Sequence, residues 1–262
     1  MTEQADDGGR AQLAGVDNFR DFGGYRGAGG TVRSGLLFRS GHLAGATKED
    51  IACLDALGLS LVVDLRQHGE RTRQPSPWRE GQIATLVLDE TGAGEYAPHE
   101  SHLERAPSPA QALEVMTSFY RSAPFQPHMV SLYRRAFWAI VDDAGPALIH
   151  CAAGKDRTGL LVALIQLALG VHDDDVMADY LATNAATRWD LRMPQLQAAM
   201  QRLYGRTFEE ETLLLYARVE PAYLQSALDL LHERSGGWRG YLAGTLDVDD
   251  AAIETMRRRL IA

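Results

Sequence analysis

Cysteine is scarce in this 262-residue chain: only Cys53 and Cys151 are present. Two cysteines exclude the disulfide framework of a small secreted scaffold and suit a reducing compartment. The eight histidines show no metal-ligand spacing, so no metal and no cofactor are expected. Positive charge is in deficit. Lys and Arg number 26 against 35 Asp and Glu, a net charge of −9. That balance argues against nucleic acid as a partner and against electrostatic binding to an anionic membrane face. Long apolar runs are missing as well. The longest, at 160–169, is about ten residues. A bilayer needs roughly 20, so stable membrane insertion is not expected. Residues 1–10 lack the basic start and apolar stretch of a secretory signal, which leaves a cytoplasmic location as the expectation and non-Sec export as an open alternative. No internal repeat is evident, and nothing in the sequence bears on oligomeric state.

What is present reads as a soluble globular chain, 45% hydrophobic and 23% charged. Residues 1–12 form an expected flexible N-terminus and 13–262 a single domain, with 171–262 a helical C-terminal elaboration. Residues 17–39 read as a hairpin turning at Gly27-Ala28-Gly29-Gly30. Thr47 can cap the helix that follows, and Cys53 falls in that helix as an expected packing residue. Residues 61–65 and 83–88 read as strands. The polar stretch 89–109 reads as a long loop, and helices are expected over 110–122 and 130–142. Residues 147–149 read as a buried strand. From 171 onward the pattern is helical, with breaks at Gly205, Gly236-Gly237 and Gly244. Alternating strands and helices followed by helices predict an α/β fold, a mostly parallel central sheet flanked by helices with an added C-terminal helical layer or lid.

Chemistry concentrates between the strand at 147–149 and the apolar run at 160–169. There stand His150-Cys151-Ala152-Ala153-Gly154-Lys155-Asp156-Arg157-Thr158-Gly159. A strand turning directly into a helix N-terminus makes an anion site, because unpaired N–H groups converge there and the helix dipole favours negative charge. The same field favours the thiolate form of a cysteine. Cys151 is the candidate nucleophile. The amides of Ala152, Ala153, Gly154, Lys155, Asp156 and Arg157 can cradle an anion. Arg157 supplies a planar fork that matches two phosphate oxygens. Thr158 is expected to hydrogen-bond the sulfur, His150 to orient the loop and add positive character, and Gly159 to allow close packing of the first helical turn. Lys155 reads as a rim cation aimed at substrate, or as a solvated partner of Asp156.

Other readings of the loop fit less of it. A buried inert cysteine ignores the coincidence of helix mouth, arginine and threonine. A nucleotide-binding Walker loop fails twice, because Asp156 follows Gly154-Lys155 and Ile149 stands where its first glycine belongs. A rhodanese-like sulfurtransferase leaves Arg157-Thr158-Gly159 unexplained. An inactive phosphate-binding module should lack the nucleophile or the arginine, and both are present.

A general acid is less obvious. Residues 119–140 contain no Asp or Glu, and Asp142 and Asp143 read as a solvated helix end. Asp156, within the loop, is the leading candidate, with Asp89 as the alternative and simple helix capping as the plainer role. Asp64 and Arg66 fall near the carboxyl end of a strand, where ligands gather in α/β folds. Arg66 is expected either to contact substrate or to pair with Asp21 or Glu70, and Arg20 and Asp21 read as braces. The 89–109 loop and the C-terminal helices together form an expected cover over the site.

The spacing is the C-x5-R-[ST]-G signature of cysteine phosphatases, and the fuller H-C-x-x-G-K-D-R-T-G resembles the loop of the bacterial atypical tyrosine phosphatases. Asn18-Phe19-Arg20-Asp21-Phe22-Gly23-Gly24-Tyr25, Leu37-Phe38-Arg39-Ser40-Gly41, Val63-Asp64-Leu65-Arg66 with Glu70, and Asp179-Tyr180-Leu181-Ala182-Thr183-Asn184 are similar to further segments of that family, in order. The resemblance implies a cysteine-phosphatase fold and hydrolysis of phosphotyrosine-containing proteins through a phosphocysteine, with dual or broader specificity. It points to Asp156 as the acid. Myotubularin-type lipid phosphatases carry an aspartate at the same loop position, so a phosphoinositide phosphatase is the alternative.

Overall fold

The computed structural model describes residues 13–78, 81–88, 108–143, 145–186 and 189–262. The tail expected over 1–12, Asp89 and nearly all of the 89–109 loop lie outside the described residues. The chain begins with β1 (Arg20–Asp21), β2 (Arg26–Gly27), β3 (Gly30–Thr31) and β4 (Leu37–Ser40). There follow α1 (Lys48–Ala56), β5 (Leu61–Asp64), α2 (His68–Arg73), β6 (Ala84–Val87), α3 (Pro109–Ser122) and α4 (Pro127–Asp142). Then come β7 (Ala147–His150), α5 (Asp156–Ala168), α6 (Asp173–Ala182), α7 (Trp189–Tyr204) and α8 (Glu210–Ala217). The chain closes with α9 (Pro221–Ser235), α10 (Trp238–Leu246) and α11 (Asp250–Leu260).

Five strands form one sheet in the order β1-β4-β7-β5-β6. Strands β4, β7, β5 and β6 run parallel, and β1 joins the edge antiparallel to β4. The registers align Ser40 and Asp64 with His150, so β4, β7 and β5 end at one level. Alternation along the strands divides the core. Phe38, Val62 and Leu148 face a small cluster with Leu13, Val16, Leu43 and Leu54 of α1. Leu37, Leu61, Val63 and Ile149 face the much larger cluster that contains α3, α4 and α5. Strands buried on both faces read as near-continuous apolar runs, which is why 61–65 and 147–149 were legible.

Every residue of α5 is buried. A helix that is apolar all round needs cover on all sides. The sheet covers one side, and α6, α9 and α10 pack on the others. Arg257 of α11 donates to the Ala168 carbonyl at 2.8 Å, placing a cation at the negative end of α5. The last residues return to the N-terminal hairpin: Ile261 bridges Val32, and Ala262 and Thr31 exchange backbone hydrogen bonds of 2.8 and 3.0 Å.

Local signals account for most element ends. Thr47 accepts from Asp50 N while the Asp50 side chain accepts from Thr47 N, a reciprocal cap. The turn at Gly27 to Gly30 joins β2 and β3 as expected. Helix α4 begins at Pro127, three residues before the expected start, because proline suits the first helical turn. Two expectations need correction. Gly244 lies inside α10 rather than breaking a helix. Cys53 is exposed on α1, so it does not serve core packing.

Gly159 tests how tightly α5 is set. A Cβ there would lie 2.9 Å from the Tyr180 ring, and Tyr180 is fully enclosed. Alanine gains about 1 kcal/mol of helix propensity over glycine, but overpacking costs about 1–3 kcal/mol. Gly159→Ala should therefore lower stability by up to about 2 kcal/mol in urea unfolding. A stabilised variant would mean that the α5–α6 contact has room to spare.

Candidate active site

The loop that carries Cys151, the candidate nucleophile, fills the turn from β7 into α5. Cys151, directly after the strand, is buried. Gly154 adopts φ +69°, and a Cβ there would fall 2.3 Å from the Ser40 carbonyl oxygen. Both the left-handed backbone and the close approach therefore require glycine. This conformation aims the Gly154 N–H at Cys151 Sγ, 3.2 Å away. The Gly159 N–H bonds to Lys155 O at 2.8 Å, which leaves the amides of Asp156, Arg157 and Thr158 outside the helical ladder. The expected hydroxyl bond to sulfur is not made: Thr158 Oγ1 is buried with no partner among the described residues. The backbone of Gly154 supplies the donor that Thr158 was expected to give.

Arg157 is clamped to Glu70 of α2. Its Nη1 and Nη2 lie 2.7 and 2.8 Å from the two carboxylate oxygens, and Nη1 also donates to Leu65 O at 3.0 Å. Burial opposes the charge of Arg157, but the Glu70 bonds, with Cys151 and Asp156 nearby, outweigh it and raise its pKa above the usual arginine value. Burial likewise pushes the Glu70 carboxyl up, and Arg157 more than reverses this. The Glu70 oxygen also accepts from Gln67 N at 2.8 Å, so α2 is capped by the same carboxylate that aligns the guanidinium.

Asp64 and Arg66 are buried and bonded to each other, through Nε to Oδ1 at 2.8 Å and Nη2 to Oδ2 at 2.7 Å. Arg66 also donates to Gln74 O and to Ser76 Oγ. It ties β5 to the segment beyond α2, in place of the substrate contact or the pairing with Asp21 or Glu70 that the sequence suggested. Asp21 instead accepts from the Gly23 and Gly35 amides and braces the hairpin. His150 Nε2 is 3.7 Å from Asp64 Oδ2. Burial lowers the His150 pKa despite the pull of Asp64. The ring is neutral at neutral pH and does not add the positive charge expected of it.

Asp156 opens α5 and is buried. Tyr120 Oη donates to its Oδ1 at 2.8 Å, and Lys155 Nζ is 3.1 Å from its Oδ2. Lys155 is also buried, with its ammonium 2.6 Å from Tyr216 O and 3.4 Å from Arg218 O. The ammonium thus ties the loop to the end of α8, and is neither a rim cation nor a solvated partner of Asp156. A narrow cavity beside Arg157 is walled by Leu88, Phe119, Ala123, His128 and Met129.

One support was missed from sequence. The Gly154 carbonyl accepts from Arg39 Nη2 at 2.9 Å and from Asn18 Nδ2 at 2.6 Å. Arg39 Nη1 and Arg20 Nε pair with the two oxygens of Asp179 at 2.6 and 3.1 Å, and Arg20 also bonds to Asn18 Oδ1. Sequence reading gave Arg20 as a brace but assigned no role to Arg39 or Asp179. The available signal was a charged residue inside the apolar run 37–40. Burial alone would push the Asp179 carboxyl up; Arg39 and Arg20 hold it below the usual range. Asp179→Ala should cost about 3–5 kcal/mol, because two buried guanidinium groups lose their counter-charge. For a carboxyl with a depressed folded-state pKa, the stabilisation is complete above the unfolded value, about 4, and is lost as pH falls through the folded value. Acid titration of urea stability should show a smaller loss in Asp179→Ala than in the parent; equal slopes would remove the Asp179 contribution.

The model of the tyrosine phosphatase family matches residues 11–262. A Cupriavidus necator protein carrying the provisional name of tyrosine-protein phosphatase is 35% identical over 245 residues, 91% of this chain and 84% of that one. The triple specificity protein phosphatase PtpB of Mycobacterium tuberculosis is 30% identical over 282 residues, 95% of this chain and 98% of that one. Among solved structures, TpbA of P. aeruginosa aligns with 74% of this chain and 97% of that one at 18% identity and a TM-score of 0.31, too loose a likeness to bear on the site. The chain belongs to the tyrosine phosphatase family and is a phosphatase acting on phosphorylated substrates.

Proposed function

We propose that the protein hydrolyses phosphotyrosine in proteins, with activity extending to other phosphomonoesters, through a phosphocysteine on Cys151. The observation that carries this reading is the Gly154 N–H aimed at Cys151 Sγ at the mouth of α5, with the Arg157 fork on the same first turn. In the first step the Cys151 sulfur attacks phosphorus and the ester oxygen leaves, taking a proton from Asp156. In the second, water attacks the phosphocysteine, Asp156 accepts its proton, and the sulfur departs as thiolate. The amides of the loop and the first turn of α5 hold the phosphoryl oxygens.

Arg157, aligned by Glu70, holds phosphate oxygens through its planar fork. Glu70 and the Leu65 carbonyl keep the guanidinium in plane while its remaining donors face the phosphate. Breadth beyond phosphotyrosine is supported by the name of the mycobacterial relative, a triple specificity phosphatase. The engagement of Lys155 by Asp156 and two backbone carbonyls weighs against a dedicated site for a polyanionic phosphoinositide head group. A panel of phosphotyrosine, phosphoserine and phosphoinositide substrates should rank phosphotyrosine first; preference for phosphoinositide would replace this reading.

Cys151→Ser should abolish turnover yet retain vanadate binding, and Arg157→Ala should lose both. Undiminished hydrolysis by Cys151→Ser would remove the phosphocysteine. Asp156→Asn should depress kcat little for an aryl ester whose phenol is strongly acidic. The loss should grow for phosphotyrosine, whose phenol has a pKa of about 10, and be greatest for phosphoserine. A loss of the same size on all three would take the acid role away from Asp156.

A further inference from the structure

We infer that Tyr120, backed by Tyr180, is the positioning residue that orients Asp156 and sets the balance between its protonated and ionised forms. The inference deepens the proposed mechanism and rests on Asp156 being the general acid. Tyr120 lies on α3 and is fully buried, as is Tyr180 on α6. A buried phenol needs a partner for its hydroxyl, and a phenylalanine would fill the same apolar space without that requirement. Here the hydroxyls form a directed chain. Tyr180 Oη donates to Tyr120 Oη at 2.7 Å, and Tyr120 Oη donates to Asp156 Oδ1 at 2.8 Å. Each hydroxyl carries one proton. Because Tyr180 gives its proton to Tyr120, the Tyr120 proton is committed to the carboxyl. A donor that is itself an acceptor is polarised and binds more strongly.

The ring of Tyr120 cannot swing. It stands edge-on to Tyr180 at 6.2 Å and 80°, and tilted against Tyr223 at 5.5 Å. Three helices, α3, α6 and α9, thereby fix one oxygen of the carboxyl and prevent its rotation. Burial and the neighbouring Asp156 raise the Tyr120 pKa well above the usual phenol value, so Tyr120 remains a proton donor across the working pH range. Among the described residues, the charged and titratable groups that act on Asp156 include Lys155 on the loop, Arg157 on the same turn, Tyr180 on α6 and Tyr223 on α9. A donor to the carboxylate favours its ionised form. Loss of the Tyr120 bond therefore makes the carboxyl hold its proton to higher pH while freeing it to rotate.

The test compares kcat against pH for Tyr120→Phe, Tyr180→Phe, Asp156→Asn and the Tyr120→Phe/Asp156→Asn pair, on an activated aryl phosphate and on a phosphoserine peptide. Tyr120→Phe should move the basic limb of the profile up by about one pH unit. It should lower kcat by about tenfold on the phosphoserine peptide and by less than about threefold on the aryl ester. Tyr180→Phe, which keeps the Tyr120–Asp156 bond, should shift the limb in the same direction by less, and it carries the test if Tyr120→Phe does not fold. In the Asp156→Asn background, Tyr120→Phe should cost almost nothing more, since the Tyr120 bond acts on turnover through the acid that Asp156→Asn removes. Equal losses on both substrates with an unmoved limb would overturn the inference and leave Asp156 as the acid. So would a full additional loss in the double variant. Absence of a leaving-group gradient in Asp156→Asn alone would instead defeat the acid assignment, and the inference with it.

Discussion

The Asp179 carboxylate, shared between Arg20 and Arg39, is the interaction on which the site depends. Both guanidinium groups are buried, and removing such charges from water costs several kcal/mol each unless they are paired and hydrogen-bonded. The pairing binds α6 to β1 and β4. Arg39 then has its Nη2 free for the Gly154 carbonyl, where Asn18 joins it. Gly154 is thereby held in a left-handed conformation with its N–H on the Cys151 sulfur. The loop that carries Cys151 is held in shape by an ion pair behind it.

A second constraint is electrical neutrality. Although the protein is acidic overall, cations and carboxylates alternate around Cys151: Arg157 with Glu70, Lys155 with Asp156, and Arg66 with Asp64. Each pair offsets the burial of its members. The three differ in what they hold. Asp64–Arg66 is bonded on every side and serves as scaffold. Lys155 is anchored by backbone carbonyls. Glu70 holds Arg157 through Nη1 and Nη2, which fixes the plane of the guanidinium and orients its remaining donors. Because Glu70 also caps α2, the orientation of Arg157 is tied to the first turn of a helix.

Much of this was legible locally. The strand before Cys151, the glycine-dependent turn and the helix after Arg157 follow from periodicity and spacing, and the Thr47 cap follows from a four-residue pattern. What could not be read were pairings over long sequence separations. Arg39 sits in Leu37-Phe38-Arg39-Ser40, where alternation reports a buried strand but not the counter-charge, which lies 140 residues on. Arg66 was offered Asp21 or Glu70 and took Asp64, two residues back, because the side chain folds onto its own strand end. Thr158 and Lys155 were assigned by residue type; the structure gives the sulfur contact to a backbone amide and the ammonium to α8 carbonyls.

Helix α5, whose N-terminus is the candidate anion site, is also the centre of the hydrophobic core, and this joins stability to chemistry. All of α5 is enclosed, so the dipole that favours an anion at its N-terminus is little screened by solvent along its length. That enclosure is supplied by α6, α9 and α10, which lie beyond the catalytic turn in sequence. Tyr180 on α6 and Tyr223 on α9 belong to this covering layer, and through Tyr120 they bear on the carboxyl at the first position of α5. The C-terminal helices therefore do more than close the core. By packing against α5 and α3 they bring the Tyr180 hydroxyl to Tyr120, which in turn donates to Asp156, the candidate acid.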